Sequence, residues 1–248
     1  MNTTEWPTAI QKMMNNVVKV SICGNGHGSG VIVPPPKNAP GNCCILTAFH
    51  VIRKAQETGA TIEITLSDSK TKFLLHSLQR YIFEQKQRDQ ALIIFSSNQK
   101  LGDISTYELP KHPGYYAPGT EFGWLGWPGL AIANQTVCFC RGVVSAYLQK
   151  EDAYLVDGSS IHGNSGGPVF CCETNNKVFL AGIVTNYYPD EVPVNNGSTP
   201  QAWPGLAMFR TVNPLLALYE KMNKSSQQKL SPIASPSKSI KQLEEKGT

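Results

Sequence analysis

The segment Gly163-Asn164-Ser165-Gly166-Gly167-Pro168 holds a serine in a setting that suits acyl transfer. A serine hydroxyl is a poor nucleophile until a base takes its proton, and the reaction also needs donors aimed at the oxyanion that develops on the attacked carbonyl. Glycines on both sides of Ser165 permit a tight turn that can aim the backbone N–H groups of Gly163 and Ser165 at one point, and they leave room for a substrate to approach. The same residues also fit a plain glycine-rich turn ahead of a strand. The motif becomes a site only if the chain supplies a base and an acid.

The base must come from five histidines, His27, His50, His76, His112 and His162, and all of them precede Ser165. Gly163 to Gly167 also satisfies G-x-S-x-G, the nucleophile elbow of a strand–turn–helix unit, but enzymes with that elbow carry the histidine after the serine. The elbow reading fails on chain order. What remains is His, then acid, then Ser. His50 stands in Ile45-Leu46-Thr47-Ala48-Phe49-His50-Val51-Ile52, where an apolar strand runs into a short helix, and Asp89 opens Asp89-Gln90-Ala91-Leu92-Ile93-Ile94. A carboxylate beside an apolar strand is costly to bury unless it is hydrogen-bonded, and the ring N–H of a histidine is a suitable partner.

The elements that must hold these groups are short strands. With 41% hydrophobic residues the chain can bury a core, while 21 Gly and 17 Pro demand many turns, so an all-β protein fits better than a helical bundle. Apolar, β-branched runs occur at 17–22, 30–33, 43–47, 61–66, 73–78 and 91–95, and again at 122–125, 136–147, 154–156, 168–172, 178–185 and 206–211. The Pro/Gly-rich stretch 111–119 joins the two sets of six. The pattern predicts two β units, 1–110 with His50 and Asp89 and 111–224 with Ser165, followed by a disordered Ser/Lys-rich tail over 225–248. Only two helices stand out, one after His50 and one over 214–222 that Asn213 can cap.

Six segments in order resemble a chymotrypsin-like (trypsin-like) serine protease domain of the HtrA (Deg) type. Gly28-Ser29-Gly30-Val31-Ile32 resembles that family's G-x-G-S-G-x-I-I, Leu46 to Val51 its L-T-N-A-H-V, and Asp89 to Ile93 its D-L-A-L-L. Leu125-Gly126-Trp127-Pro128 resembles I-G-N-P, Arg141 to Ser145 resembles S-G-I-V-S, and Gly163 to Val169 resembles G-N-S-G-G-P-L. The resemblance implies two six-stranded antiparallel β-barrels with the cleft between them and a C-terminal helix. It implies Ser165 as nucleophile, His50 as general base and then acid, Asp89 as the group orienting the imidazole, and the N–H groups of Gly163 and Ser165 as the oxyanion hole. Asn164 stands where digestive relatives have Asp, so activation by cleavage is not expected. About 29 residues follow Tyr219, too few for the peptide-binding PDZ domain common in HtrA relatives.

The family's spacing puts the base of the pocket for the substrate residue before the cut (P1) near Ser159, with walls from Thr185, Tyr187 and Gly205. None is charged, so an uncharged P1 residue is expected. The implied activity is peptide-bond hydrolysis through an acyl-enzyme without metal or organic cofactor; a resting binding module or chaperone, and an esterase-like hydrolase, are the alternatives.

The remaining histidines read otherwise. His162 flanks the oxyanion loop as a loop residue, His76 falls in a strand pattern and His112 in the joint. His27 lies in a glycine-rich stretch that fails the nucleotide-binding pattern. Trp124, Trp127 and Trp203 read as packing residues. Seven cysteines, an odd count in apolar runs without zinc spacing, read as reduced and buried. The net charge is +4, and within 225–248 four Lys stand against two Glu, so part of the excess sits outside the body and nucleic acid is not an expected partner. No apolar run is long enough to span a bilayer, and the opening lacks the basic start and apolar stretch of a secretory signal. A cytoplasmic location, or export without an N-terminal signal peptide, is the expectation.

Overall fold

Alternating burial along the strands divides the apolar side chains between two interiors and one seam. The computed structural model describes residues 5–22, 25–68, 71–99, 101–110, 114–129, 136–172, 177–192 and 201–229, with backbone alone at 5, 25, 188–192, 201–205 and 223–229. Seven strands, β1 (Val17–Ile22), β2 (Asn25–Val33), β3 (Asn42–Ala48), β4 (Ile62–Leu66), β5 (Lys72–Leu75), β6 (Arg80–Gln85) and β7 (Gln90–Ser96), form an antiparallel sheet in the order β5-β4-β1-β2-β3-β7-β6. Six more, β8 (Glu121–Gly126), β9 (Cys138–Leu148), β10 (Ala153–Ser159), β11 (Pro168–Cys172), β12 (Val178–Val192) and β13 (Gln201–Thr211), close into a barrel in the order β10-β13-β12-β11-β8-β9.

Val18, Val20, Ile45, Ile64 and Ile93 fill the first interior, while their neighbours Val17, Leu46, Leu92 and Ile94 face the seam between the units. In the barrel, Trp124 and Val169 point inward, and Leu125 and Phe170 point to the same seam. Strands with both faces covered read as continuous apolar runs, which is why 43–47 and 91–95 stood out in the sequence. Trp124 and Trp127 are packing residues as expected, 1% and 3% exposed. Six cysteines are described, all unbridged, and burial pushes the Cys44 thiol up to about 12.

The mostly-β, two-unit chymotrypsin-like architecture is as expected, with four differences. The first sheet has seven strands, and its outer strands β5 and β6 do not pair, so it is a half-barrel rather than a closed one. The added strand, β6, escaped the sequence pattern because its alternation is inverted. Tyr81 and Phe83 face outward, 75% and 41% exposed, while Arg80 is buried. Its guanidinium donates to the Leu75 carbonyl at the end of β5 and to the carbonyls of Ala55 at 3.1 Å and Ala60 at 2.8 Å, so a side chain bridges the gap where a ladder would run.

The second difference is an N-terminal helix, α1 (Glu5–Met14), whose face Trp6, Ala9 and Met13 is buried in the seam, Trp6 lying against Phe139 and Phe170. Third, His76 is not in a strand. β5 ends at Leu75, and His76 precedes a short 3-10 turn with its Nδ1 2.9 Å from Thr61 Oγ1. Fourth, the C-terminal helix α3 (Asn213–Lys229) continues past Met222 and through the first residues of the segment read as tail. His112, Cys23 and residues 230–248 lie outside the described residues. No described helix is long and apolar enough to cross a membrane.

Arg80 ties β6 to the helix after β3, α2 (Phe49–Thr58), because Ala55 lies within it. Truncating Arg80 would take a charged donor from three carbonyls, of which that of Ala55 keeps the Gly59 N–H. Arg80→Ala is expected to lose roughly 2–4 kcal/mol of unfolding free energy in urea titration; an unchanged midpoint would mean that water replaces the guanidinium.

Candidate active site

Asp89 acts as a cap supplied from the turn before a distant strand. Helix α2 begins with Ala48 at its N-cap, which has no side-chain cap, so its first N–H groups need outside acceptors. The Asp89 carbonyl accepts the Phe49 N–H at 3.1 Å, and Asp89 Oδ1 accepts the His50 N–H at 2.8 Å. The second carboxylate oxygen, Oδ2, takes the His50 ring at Nδ1, 2.6 Å away. Asp89 can reach both because it sits at φ 48°, a left-handed turn that an Asp tolerates, just before β7. A proton held on Nδ1 by the carboxylate leaves Nε2 of a neutral imidazole with its lone pair, the form a general base needs.

Ser165 belongs to the loop between β10 and β11, and that loop is braced by the first sheet. The Ser29 N–H donates to the Ser165 carbonyl at 2.7 Å, and the Ser29 hydroxyl donates to the Gly163 carbonyl at 2.6 Å. Gly163 has φ 98°, and a Cβ there would overlap the Trp127 carbonyl; Gly166 has φ 85°, and a Cβ there would overlap the Ser29 carbonyl. Side chains at either position are excluded by conformation and by space together.

The two proposed oxyanion donors are oriented through the opposite ends of their own peptide groups. A trans peptide holds its C=O and N–H antiparallel. The His162 carbonyl accepts the Gly129 N–H at 2.7 Å, which turns the Gly163 N–H the other way; the Asn164 carbonyl accepts the Gly167 N–H at 2.9 Å, which does the same for the Ser165 N–H. Asn164 is 1% exposed, and its amide has no partner among the described residues.

His50 and Ser165 line one cleft of about 590 Å³ with Gly163, His27 and His162. His27 Nε2 donates to the Trp127 carbonyl at 2.8 Å, and partial burial, aided by Lys19, pushes its pKa down, so it favours the neutral donor form. His162 packs edge-on to Tyr187, with ring centroids 5.7 Å apart and its Nε2 3.4 Å from the Tyr187 hydroxyl. Among the described residues no three His, Cys, Asp or Glu side chains converge as a metal site would require.

The residues read as P1 pocket lie on neighbouring strands. Ser159 ends β10 opposite Leu206, Thr185 is buried on β12, Tyr187 is half-buried two residues on, and Gly205 lies in β13. Ser159, Thr185 and Tyr187 do not line the cleft that holds His50 and Ser165. Two supports escaped the sequence reading. Ser29 stands in a glycine-rich stretch that fails the nucleotide-binding pattern, and Arg210 reads as an ordinary strand residue. Arg210 is buried, donating from Nη1 to Thr185 Oγ1 at 3.1 Å and from Nε to the Glu151 carbonyl at 3.3 Å. Only the folded chain brings these groups to the residues they support.

Replacing the neutral Asn164 amide by a carboxylate would bury a charge with no described cation beside it. Asn164→Asp is therefore expected to cost about 3 kcal/mol in urea unfolding, and equal stability of the two proteins would contradict this environment. Removing the hydroxyl in Ser29→Ala would free the Gly163 carbonyl, with an expected fall of about tenfold in the rate of serine acylation; an unchanged rate would mean the backbone holds the loop alone.

The family described as trypsin-like peptidase domain matches residues 28–183. Among solved structures, Deg5 superposes with a TM-score of 0.58 at 19% identity, covering 86% of this chain and 91% of that one. The HtrA-type protease AlgW, solved with a tripeptide, gives a TM-score of 0.59 at 18% identity, covering 89% of this chain and 64% of its own. Kallikrein-related peptidase 10 gives 0.56 at 15% identity, covering 86% and 98%. No curated protein matches the chain in sequence.

Proposed function

This chain belongs to the trypsin-like peptidase family, and from that premise we propose that it is a serine endopeptidase in which Ser165, His50 and Asp89 form the catalytic triad. The observation that carries this reading is the double engagement of Asp89 with His50, through the backbone N–H at 2.8 Å and the ring Nδ1 at 2.6 Å, while His50 and Ser165 line one cleft. His50 Nε2 takes the Ser165 proton as Oγ attacks the scissile carbonyl, and Asp89 stabilises the imidazolium that results. The Gly163 and Ser165 N–H groups hold the oxyanion until it collapses, His50 gives its proton to the leaving amine, and water then hydrolyses the acyl-enzyme.

The P1 side chain is uncharged, seated by Ser159, Thr185, Tyr187 and Gly205. In support, the Thr185 hydroxyl is already bonded by the buried Arg210 cation, which disfavours a lysine or arginine nearby. The Tyr187 ring, held against His162, narrows the approach and favours small side chains.

Covalent labelling with a fluorophosphonate probe tests the triad. The adduct is expected on Ser165 by peptide mass, absent in Ser165→Ala and slowed roughly 10²-fold or more in His50→Ala and Asp89→Asn. Asn suits the left-handed turn at position 89, so the last variant removes the charge and spares the backbone. Labelling at equal rates in all four proteins, or no labelling of the folded wild type, would overturn the reading.

A further inference from the structure

The cleft carries a charge bias that peptide-bond hydrolysis itself does not require. Its ionisable lining consists of His27, His50, Arg53, Lys54 and His162, and no Asp or Glu side chain lines it among the described residues. The reason is local. His50, Arg53 and Lys54 stand at i, i+3 and i+4 of α2, so one helix face presents the imidazole and, a turn further on, two exposed cations.

The carboxylates nearest Arg53 in sequence do not pair with it. Asp89 is engaged by His50, and Glu57, four residues beyond Arg53, makes no ion pair with it; Arg53 has no ion-pair partner among the described residues. Lys19, close enough to lower the His27 pKa, adds positive charge beside that histidine.

The position of the cations defines which part of a substrate meets them. Of the proposed P1 wall, Ser159, Thr185 and Tyr187 lie outside this cleft; with the P1 side chain seated there, the α2 wall is assigned to the other arm of an extended peptide, the arm that departs with the leaving amine. One helical turn is about 5.4 Å and an extended residue about 3.3 Å. Arg53 and Lys54 therefore stand about two to three residues beyond the cut.

We propose that Arg53 and Lys54 select peptides carrying Asp or Glu at the second and third positions after the scissile bond. This substrate class rests on the endopeptidase reading above. The attraction acts through solvent-exposed cations, so it weakens as salt shortens the screening length.

Two arms separate the selection from the chemistry. In the first, wild-type protein digests a mixed peptide library, and the new N-termini are sequenced by mass spectrometry. Asp and Glu are expected at least threefold enriched at the second and third positions after the cut, and the paired variant Arg53→Glu with Lys54→Glu is expected to turn that enrichment toward Lys and Arg. A merely structural role for the two cations would lower all cleavage without inverting the preference, and that result overturns the proposal.

In the second arm, Ser165→Ala binds matched peptides rich in Glu, Gln or Lys, followed by fluorescence anisotropy at low and high salt. The Glu peptide is expected to bind at least fivefold tighter than the Gln peptide at low salt, with the order reversed in the charge-reversed variant. Arg53→Gln alone provides a milder change if the double reversal unfolds. Equal affinity for all three peptides, with fluorophosphonate labelling of the wild type intact, overturns the acidic selection and leaves the endopeptidase reading standing. Discrimination without any cleavage by wild type supports recognition by Arg53 and Lys54 and counts against the endopeptidase reading.

Discussion

His50 and Ser165 stand on different β units, so whatever the cleft does depends on how firmly those units are docked. At the cleft the docking passes through Ser29, fully buried on β2 of the half-barrel. All its hydrogen-bonding groups are engaged. The N–H donates to the Ser165 carbonyl, the hydroxyl donates to the Gly163 carbonyl and accepts the Trp127 N–H at 2.8 Å, and the Ser29 carbonyl accepts Thr47 Oγ1 at 2.7 Å. A buried polar group with every partner supplied holds one geometry, because each alternative leaves something unsatisfied. The loop of one unit thus takes its shape from a strand of the other.

Main-chain atoms supply most of that geometry. The Gly163 and Ser165 N–H groups point where they do because their own peptide carbonyls are taken by Gly129 and Gly167. Such a frame asks little of side-chain identity beyond glycines where the backbone turns left-handed or packs closely. A fold shared with structures below 20% identity is compatible with a frame of this kind.

The two units are not built alike. The barrel that holds Ser165 closes on itself, whereas the sheet that holds His50 and Asp89 stays open between β5 and β6 and is clipped there by the Arg80 guanidinium. Helix α2 is consequently pinned twice from outside its own segment, by Arg80 on the Ala55 carbonyl and by Asp89 at its first turn. Both anchors involve a charged group meeting backbone dipoles, which favours one helix placement over its neighbours. The same placement puts Arg53 and Lys54 on the cleft wall with His50.

Local chemistry was legible in the chain by itself: a serine among glycines, a histidine where a strand ends, an acid where another begins, and apolar runs that alternate or persist according to how many faces they cover. These follow from short-range rules, since side-chain period, turn residues and the cost of a buried carboxylate act within a few residues. Strand β6 and helix α1 were not legible. Outward-facing Tyr81 and Phe83 and a buried Arg80 invert the usual pattern, and the apolar face of Trp6, Ala9 and Met13 has meaning only against Phe139 and Phe170. Tertiary structure alone decided the convergence. Ser29 lies 136 positions before Ser165, and Arg210 lies 25 after Thr185; their contacts exist because two separately formed sheets bury one seam, and a sequence read along its length carries no term for that approach.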